Sequence, residues 1–265
     1  MSRDPEQTNS PAAPVHKTSL DRSSLRVHTP ARVGLRTTGT SLATSEILDL
    51  SLCLAEARDA LHARLSAASL ISQFAGRGYN TPLLQSAAKD RGEYLRRPDL
   101  GRQLSAESRA ILDTRTSQTS APSLVIVIAD GLSAIATERH AIPLLDALQL
   151  ISDLSGAPFI IVEQARVAIG DEIGELLNAE LLLLLIGERP GLSSPDSLGA
   201  YITWAPHVGC TDAERNCISN IRPAGLSYAE AASRIARYLQ AARQARLTGV
   251  ELKEDSVLLS DAASE

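Results

Sequence analysis

The sequence predicts an α/β protein, a Rossmann-like parallel sheet covered by helices, preceded by a helical N-terminal region and a disordered N-terminal tail. Three observations carry this. Continuous apolar runs of strand length stand at 124–130 (LVIVIAD), 158–163 (PFIIVE) and 181–186 (LLLLLI). Runs without alternation mark strands buried on both faces, the condition of a parallel sheet between helical layers. Helical patterns separate these runs, and the chain has 265 residues. A core of roughly 200 residues removes about 70% of the unfolded surface from water, so the fold needs neither disulfides nor a metal staple.

Residues 1–43 are rich in Ser, Thr, Pro and Arg and show no periodicity. Six basic residues stand there against three acidic ones. Such a segment cannot bury enough apolar surface to offset its ordering entropy, so it reads as a mostly disordered basic tail. It is either a docking arm for a partner or simply solvated. From Thr44 the pattern changes: Ile47, Leu50, Leu54, Ala57, Leu61, Leu65 and Ala68 recur at helical spacing and predict one long amphipathic helix over 44–72. GRGYNTP (76–82) ends it, and a shorter helix starts near Ser105, giving a helical region over 44–121.

The sheet domain spans 122–249. After the first strand, AIPLLDALQL (141–150) reads as a helix with Pro143 in its first turn. The second strand is followed by the helical DEIGELLNA (171–179), the third is LLLLLI, and AYITW (200–204) is a fourth. Five or six residues between Asn178 and Gly187 are too few for a buried helix, so LLLLLI is a strand. Ser227 and Glu230 have capping-box spacing ahead of a helix carrying Tyr228, Ala232, Ile235, Leu239 and Ala242 on one face. Gly249 is its expected terminator. Residues 250–265 form an acidic tail.

Composition excludes several functions. The formal charge is −5 and aromatic residues make up 3%, against the basic face and stacking rings of a nucleic-acid binder. No 18-residue apolar stretch exists to span a membrane, and MSRDPEQTNS is no secretory signal. Cys53, Cys210 and Cys217 are too few and too irregular for a disulfide framework, which favours a reducing compartment. No G-x-G-x-x-G follows a strand, and there is neither a P-loop nor a nucleophile elbow. His207, Cys210 and Cys217 lack zinc spacing, so no metal site is expected. His62 and His140 read as surface or packing residues.

In an open parallel sheet, ligands bind beyond the carboxyl ends of the strands. Those ends are Asp130-Gly131-Leu132-Ser133, Glu163-Gln164-Ala165-Arg166-Val167 and Gly187-Glu188-Arg189-Pro190-Gly191. In the third, two glycines bracket Glu188 and leave the backbone open, although a plain structural turn reads the same way.

RRPDLGRQLS (96–105), IADGLSA (128–134), IGDEIGELLNAE (169–180), IGERPGL (186–192) and RNCISNI (215–221) follow one another in order. With these motifs, residues 30–245 resemble the small subunits of ethanolamine ammonia-lyase. GERPGL and CISNI about thirty residues apart are the specific pair. The resemblance implies a carbon–nitrogen lyase of two subunit types, inactive as this chain alone. It implies conversion of ethanolamine and related vicinal amino alcohols to an oxo compound and ammonia by a radical route that uses adenosylcobalamin. The large subunit would hold the substrate, and the small subunit, with no catalytic residue of its own, would embrace the corrin at the boundary. Six large and six small subunits are implied, in the bacterial cytoplasm. The family's corrin contacts carry over to Val167 in ARVAIGDEIGE, Glu188 in GERPG and Cys217 in CISNI. For Cys217 a packing role is expected rather than a nucleophile or cobalt ligand. The D-x-H-x-x-G box of some cobalamin proteins is absent, so the cofactor's own base is the expected lower ligand.

Two departures stand out. GLRTTGTSLAT (34–44) replaces a Gly-Arg-x-Gly element, and residues 1–20 lack the short amphipathic helix by which some members enter an ethanolamine-utilisation microcompartment. Besides the lyase subunit, two functions fit the sequence: a cobalamin-holding or assembly module, and an independent enzyme using Asp130 and Glu188.

Overall fold

The computed structural model describes residues 22–29, 31–116 and 121–252. Contacts divide the chain into two units, residues 1–49 and 50–265.

In the first unit, a 3-10 turn over Arg22–Val27 precedes two short strands, β1 (Thr37–Thr38) and β2 (Ser41–Leu42), paired antiparallel. Their anchor is Glu46, 7% exposed. Both of its carboxylate oxygens accept from Arg26 Nη2 at 3.0 Å, and its carbonyl accepts from Arg32 Nη2 at 3.1 Å. Arg32 also pairs with Asp49 at 2.8 Å. Residues 1–21 of the expected tail lie outside the described residues. Residues 22–29 and 31–43 carry this arginine-led structure, which composition alone does not reveal because the acid that gathers the arginines lies beyond the segment.

Helix α1 (Thr44–His62) runs from the first unit into the second, and α2 (Ala67–Ala75) follows after a break at 63–66. The single helix expected over 44–72 is therefore two. The reason shows in burial: α2 buries Ala67, Leu70 and Phe74, whereas Ile47, Leu48, Leu52 and Leu54 of α1 stay exposed.

In the second unit, six strands form one sheet in the order β3-β5-β4-β6-β7-β8. They are β3 (Leu83–Gln85), β4 (Val125–Ala129), β5 (Phe159–Glu163), β6 (Leu181–Gly187), β7 (Leu198–Trp204) and β8 (Arg215–Ile221). The α/β class is as the sequence predicts, and β3, β5, β4 and β6 are mutually parallel. β7 and β8, by contrast, are antiparallel to their neighbours. The physical reason is connector length: residues 188–197 and 205–214 are too short for the crossover of a dozen or more residues that a parallel neighbour requires. β3 was not expected in a helical region. It is a three-residue edge strand beyond β5, followed by α3 (Arg91–Arg96) and α4 (Ala106–Thr116).

Every residue of β4 and β6 is buried. One sheet face carries Ile126, Ile128, Leu183, Leu185, Ala200 and Ile202 against α2, α5 (Ala134–Gln149) and α7 (Tyr228–Ala245). The other carries Val125, Val127, Val162, Leu182 and Leu184 against α4 and α6 (Ile169–Leu176). Burying one such aliphatic side chain contributes about 1.5–3 kcal/mol, which makes the two layers the main source of stability.

The helix ends correct two expectations and bear out a third. α5 begins at Ala134, where Ser133 Oγ accepts from Ala136 N at 3.3 Å, so Pro143 lies inside the helix rather than in its first turn. The capping box of Ser227 and Glu230 is present on α7. Its C-terminal residue in left-handed conformation is Arg246 (φ 56°), not Gly249. Gly249 instead lets the backbone pass Ala213, whose carbonyl oxygen would lie 1.9 Å from an added Cβ. Among the described residues no helix is long and apolar enough to cross a membrane.

Candidate functional site

The strand ends expected to carry the site meet at one edge of the sheet. β4, β5 and β6 finish there, and antiparallel β7 starts there, with Gly187 opposite Leu198. β4 and β6 are locked by a close approach of their backbones. A Cβ on Gly131 (φ +59°) would lie 2.1 Å from Gly187 O, and one on Gly187 would lie 2.0 Å from Ser133 O. Glycine is required at both positions.

Asp130, 1% exposed, holds the next strand end. Its Oδ2 accepts from Gln164 N and its Oδ1 from Ala165 N, both at 2.9 Å. Those bonds hold Gln164 at φ 57°, a left-handed conformation costing about 1–2 kcal/mol for an L-residue. Arg91 Nη1 lies 3.3 Å from Asp130 Oδ2, and the same guanidinium donates to the carbonyls of Gly131, Leu132 and Leu61. Burial pushes Asp130 up to about 6, against the opposing pull of the Ala165 amide, Arg91 and the Gln164 amide. All these bonds make Asp130 a fastener rather than a group open to substrate.

Among the described residues, the helical layer that covers the β4–β6 face stops short of β7 and β8. Tyr201, on β7, is half-buried there, and its register partner on β8 is Cys217, which is exposed together with Ser219. Ile218, one residue on, belongs to the opposite face and the core. The result is an open shelf on the sheet. Burial, with the Cys217 thiol beside it, pushes the Tyr201 hydroxyl well above its ordinary range. A cavity of about 220 Å³ at its edge is lined by Tyr94, Arg166, Val167, Glu188, Arg189 and Tyr201, among others. An adjoining one of about 370 Å³ takes in Arg102, Arg166, Val167, Tyr201 and Arg215.

The three residues carried over from the resemblance are thus gathered around Tyr201. Val167 and Glu188 line the first cavity with it, and Cys217 stands beside it across the β7–β8 ladder. Glu188 also ties strands together. Its Oε2 accepts from Ser197 Oγ and from Asn220 N, the latter at 3.1 Å, so it joins the end of β6 to the start of β7 and the end of β8. Its other oxygen, Oε1, has no hydrogen-bond partner among the described residues and sits over Gly199, 3.2 Å from where a Cβ would stand. Gln164 Oε1 and Arg166 Nε are buried and likewise unpartnered. Tyr201 and Arg166 were not singled out from the sequence. The only signal for Tyr201 is its alternation against Ala200 and Ile202.

Other candidates resolve into structure. His140 is buried, with Nδ1 2.8 Å from Tyr228 Oη, and His62 is exposed. Among the described residues no cysteine is in a disulfide. His207, Cys210 and Glu214 place one ligand atom each within 4.8 Å of one another, without Cys217. Glu214 Oε2 already accepts from Thr211 N at 2.7 Å and Thr211 Oγ1 at 2.9 Å, which makes this cluster a capped turn. Next to it, Arg215 pairs with the buried Asp171, whose carboxyl burial pushes up to about 6.

The chain as a whole matches known proteins. The family described as Ethanolamine ammonia-lyase light chain (EutC) matches residues 21–253. The ethanolamine ammonia-lyase small subunit of Pseudomonas syringae pv. tomato is 51% identical over 238 residues, 88% of this chain and 83% of its own length. That of Azotobacter vinelandii is 52% identical over 236 residues, 88% and 87% of the two chains. That of Xanthomonas campestris pv. campestris is 51% identical over 248 residues, 91% of each.

Proposed function

This chain belongs to the ethanolamine ammonia-lyase light-chain family, and on that premise we propose that it helps a large catalytic subunit hold adenosylcobalamin while ethanolamine becomes acetaldehyde and ammonia. The observation that carries this reading is the open shelf: Val167, Glu188 and Cys217, far apart in sequence, surround one uncovered patch of sheet.

The residues present suit a corrin. The macrocycle is broad and flat and fringed with amide side arms that both donate and accept hydrogen bonds. The shelf offers Val167, Cys217 and the Tyr201 ring as apolar floor. At its rim stands an unspent polar atom, Glu188 Oε1, to accept from an amide N–H. Gly131 and Gly187 keep side chains out of the edge where the strands end. Bound there, the group would supply a cobalt–carbon bond for the radical chemistry. This chain's residues orient and desolvate one face of that group and move no proton. Asp130, the acid an independent enzyme would need, is buried and bonded on both oxygens.

The relatives' designation as small subunits points to a large partner, and α1 is suited to meet one. Its Ile47, Leu48, Leu52 and Leu54 are exposed, an apolar load that a helix of a self-sufficient protein buries. Six copies of each subunit is the assembly the resemblance implies.

The test is reconstitution. With ethanolamine and adenosylcobalamin, this chain alone should release no acetaldehyde, and the large subunit should become active only when this chain is added. Acetaldehyde from this chain alone would overturn the reading. A large subunit fully active without it would reduce this chain to an assembly module.

A further inference from the structure

Arg166 is out of balance with its surroundings. Three neighbouring arginines are matched to carboxylates: Arg91 to Asp130, Arg109 to Glu172, and Arg215 to Asp171 and Asp212. Arg166 has no ion pair among the described residues. Its Nε is buried without an acceptor, and its one side-chain hydrogen bond is a long contact of 3.5 Å from Nη2 to Tyr94 O.

The side chain is nonetheless held in place. Its Cζ lies 4.4 Å from the centre of the Tyr94 ring, and Tyr94 Oη donates to Ala165 O at 2.9 Å. Arg166 N donates to Gly101 O at 2.7 Å, and a Cβ on Gly101 would come within 2.9 Å of Arg166 Cγ. The stem is therefore clamped between Gly101 and Tyr94, with much of its rotamer entropy already lost on folding. A guanidinium fixed in this way, short of an acceptor and facing a cavity, is arranged to meet an anion.

The cavity has the matching charge. Arg102, Arg166 and Arg215 line it, and Asp212, its one acid among the described residues, is spent on Arg215. Arg102 has no ion pair among the described residues either. Ethanolamine is a cation, so this basic corner is not for substrate. Corrin side arms are neutral amides. The one anionic group of the cofactor is the phosphodiester that joins a corrin side arm to the lower nucleotide, and a planar fork is the side chain suited to two phosphoryl oxygens.

We propose that Arg166, assisted by Arg102, is the subsite for that phosphodiester. The proposal rests on the corrin-holding reading above, and its test separates the two. Visible absorbance titrations of the assembled two-subunit complex would compare cobalamin, cobinamide phosphate, which keeps the phosphate without the nucleoside, and cobinamide, which lacks both. The wild-type complex should bind the two phosphate-bearing corrinoids more tightly than cobinamide. Arg166→Met should weaken both by about tenfold to hundredfold and leave cobinamide within about twofold. Arg166→Lys, which keeps the charge without the fork, should fall between. Unchanged cobinamide affinity also certifies that the variant is folded. Equal losses for all three probes, or no loss for any, would overturn the subsite while leaving the corrin reading intact. A wild-type complex that binds none of the three would overturn both.

Discussion

Glu188→Ala should do two separable things. Structurally, it deletes the carboxylate oxygen that accepts from Ser197 Oγ and Asn220 N. Hydrogen bonds to a charged acceptor contribute about 1.5–3 kcal/mol each, but Asn220 is exposed and water will replace part of its bond. A net loss of about 2–3 kcal/mol follows, and at about 2–4 °C per kcal/mol for a chain of this size the melting temperature should fall about 4–12 °C. Functionally, the variant removes Oε1 from the shelf and should weaken cobalamin binding about tenfold to hundredfold. Glu188→Gln keeps an oxygen acceptor for both roles and should lose less than half as much in each. Thermal melts of the chain and cobalamin titrations of the assembled complex read the two effects independently. An Ala variant with a lowered melt and full affinity would show that the carboxylate serves the strands only. A full melt and full affinity together would refute the whole account. The bond across to β8 is what gives this strand-end residue its share in stability.

Two more outcomes follow from close packing and burial. Gly131→Ala forces a Cβ to 2.1 Å from Gly187 O at a left-handed φ and should cost about 2–5 kcal/mol in denaturant melts, whereas Gly156→Ala, left-handed in open space, should cost only about 1–2; equal costs would rule out the close strand approach. Carboxyl carbon NMR should show Asp130 and Asp171 titrating near pH 6, since burial dominates at both. Because the folded values lie above the unfolded ones, these two groups favour folding fully below about pH 4, and that contribution is lost as pH rises through about 6. Midpoints in the ordinary carboxylate range would contradict the burial argument.

The doubly buried strands were legible because LVIVIA, FIIV and LLLLLI have no solvent face to alternate with. β3 was not, since Leu83-Leu84-Gln85 is too short to show a period and exists only because β5 offers it an edge. Sheet direction could have been read from connector length, as the ten residues 188–197 rule out a helical crossover. RNCISNI alternates as a strand does, yet its exposed Cys217 and buried Ile218 acquire meaning only once β7 is beside them. For the site, strand-end logic reached Asp130 and Glu188 but could not tell a fastener from a rim group. That distinction depends on Arg91 and the 164–165 amides for one, and on Ser197 and Asn220 for the other. Arg166 and Tyr201 were hidden for a related reason: an unmatched arginine is recognised only when every carboxylate near it has been located.

The open shelf has a thermodynamic corollary on the corrin-holding reading. A patch of sheet with no covering layer among the described residues closes over a ligand when another subunit supplies the roof. Cofactor binding and subunit association are then linked equilibria, and linkage is reciprocal. Whatever factor the large subunit adds to cofactor affinity, the cofactor must return to the affinity between subunits. Dilution of the assembled enzyme would release cofactor, and stripping the cofactor would loosen the assembly, by the same coupling free energy.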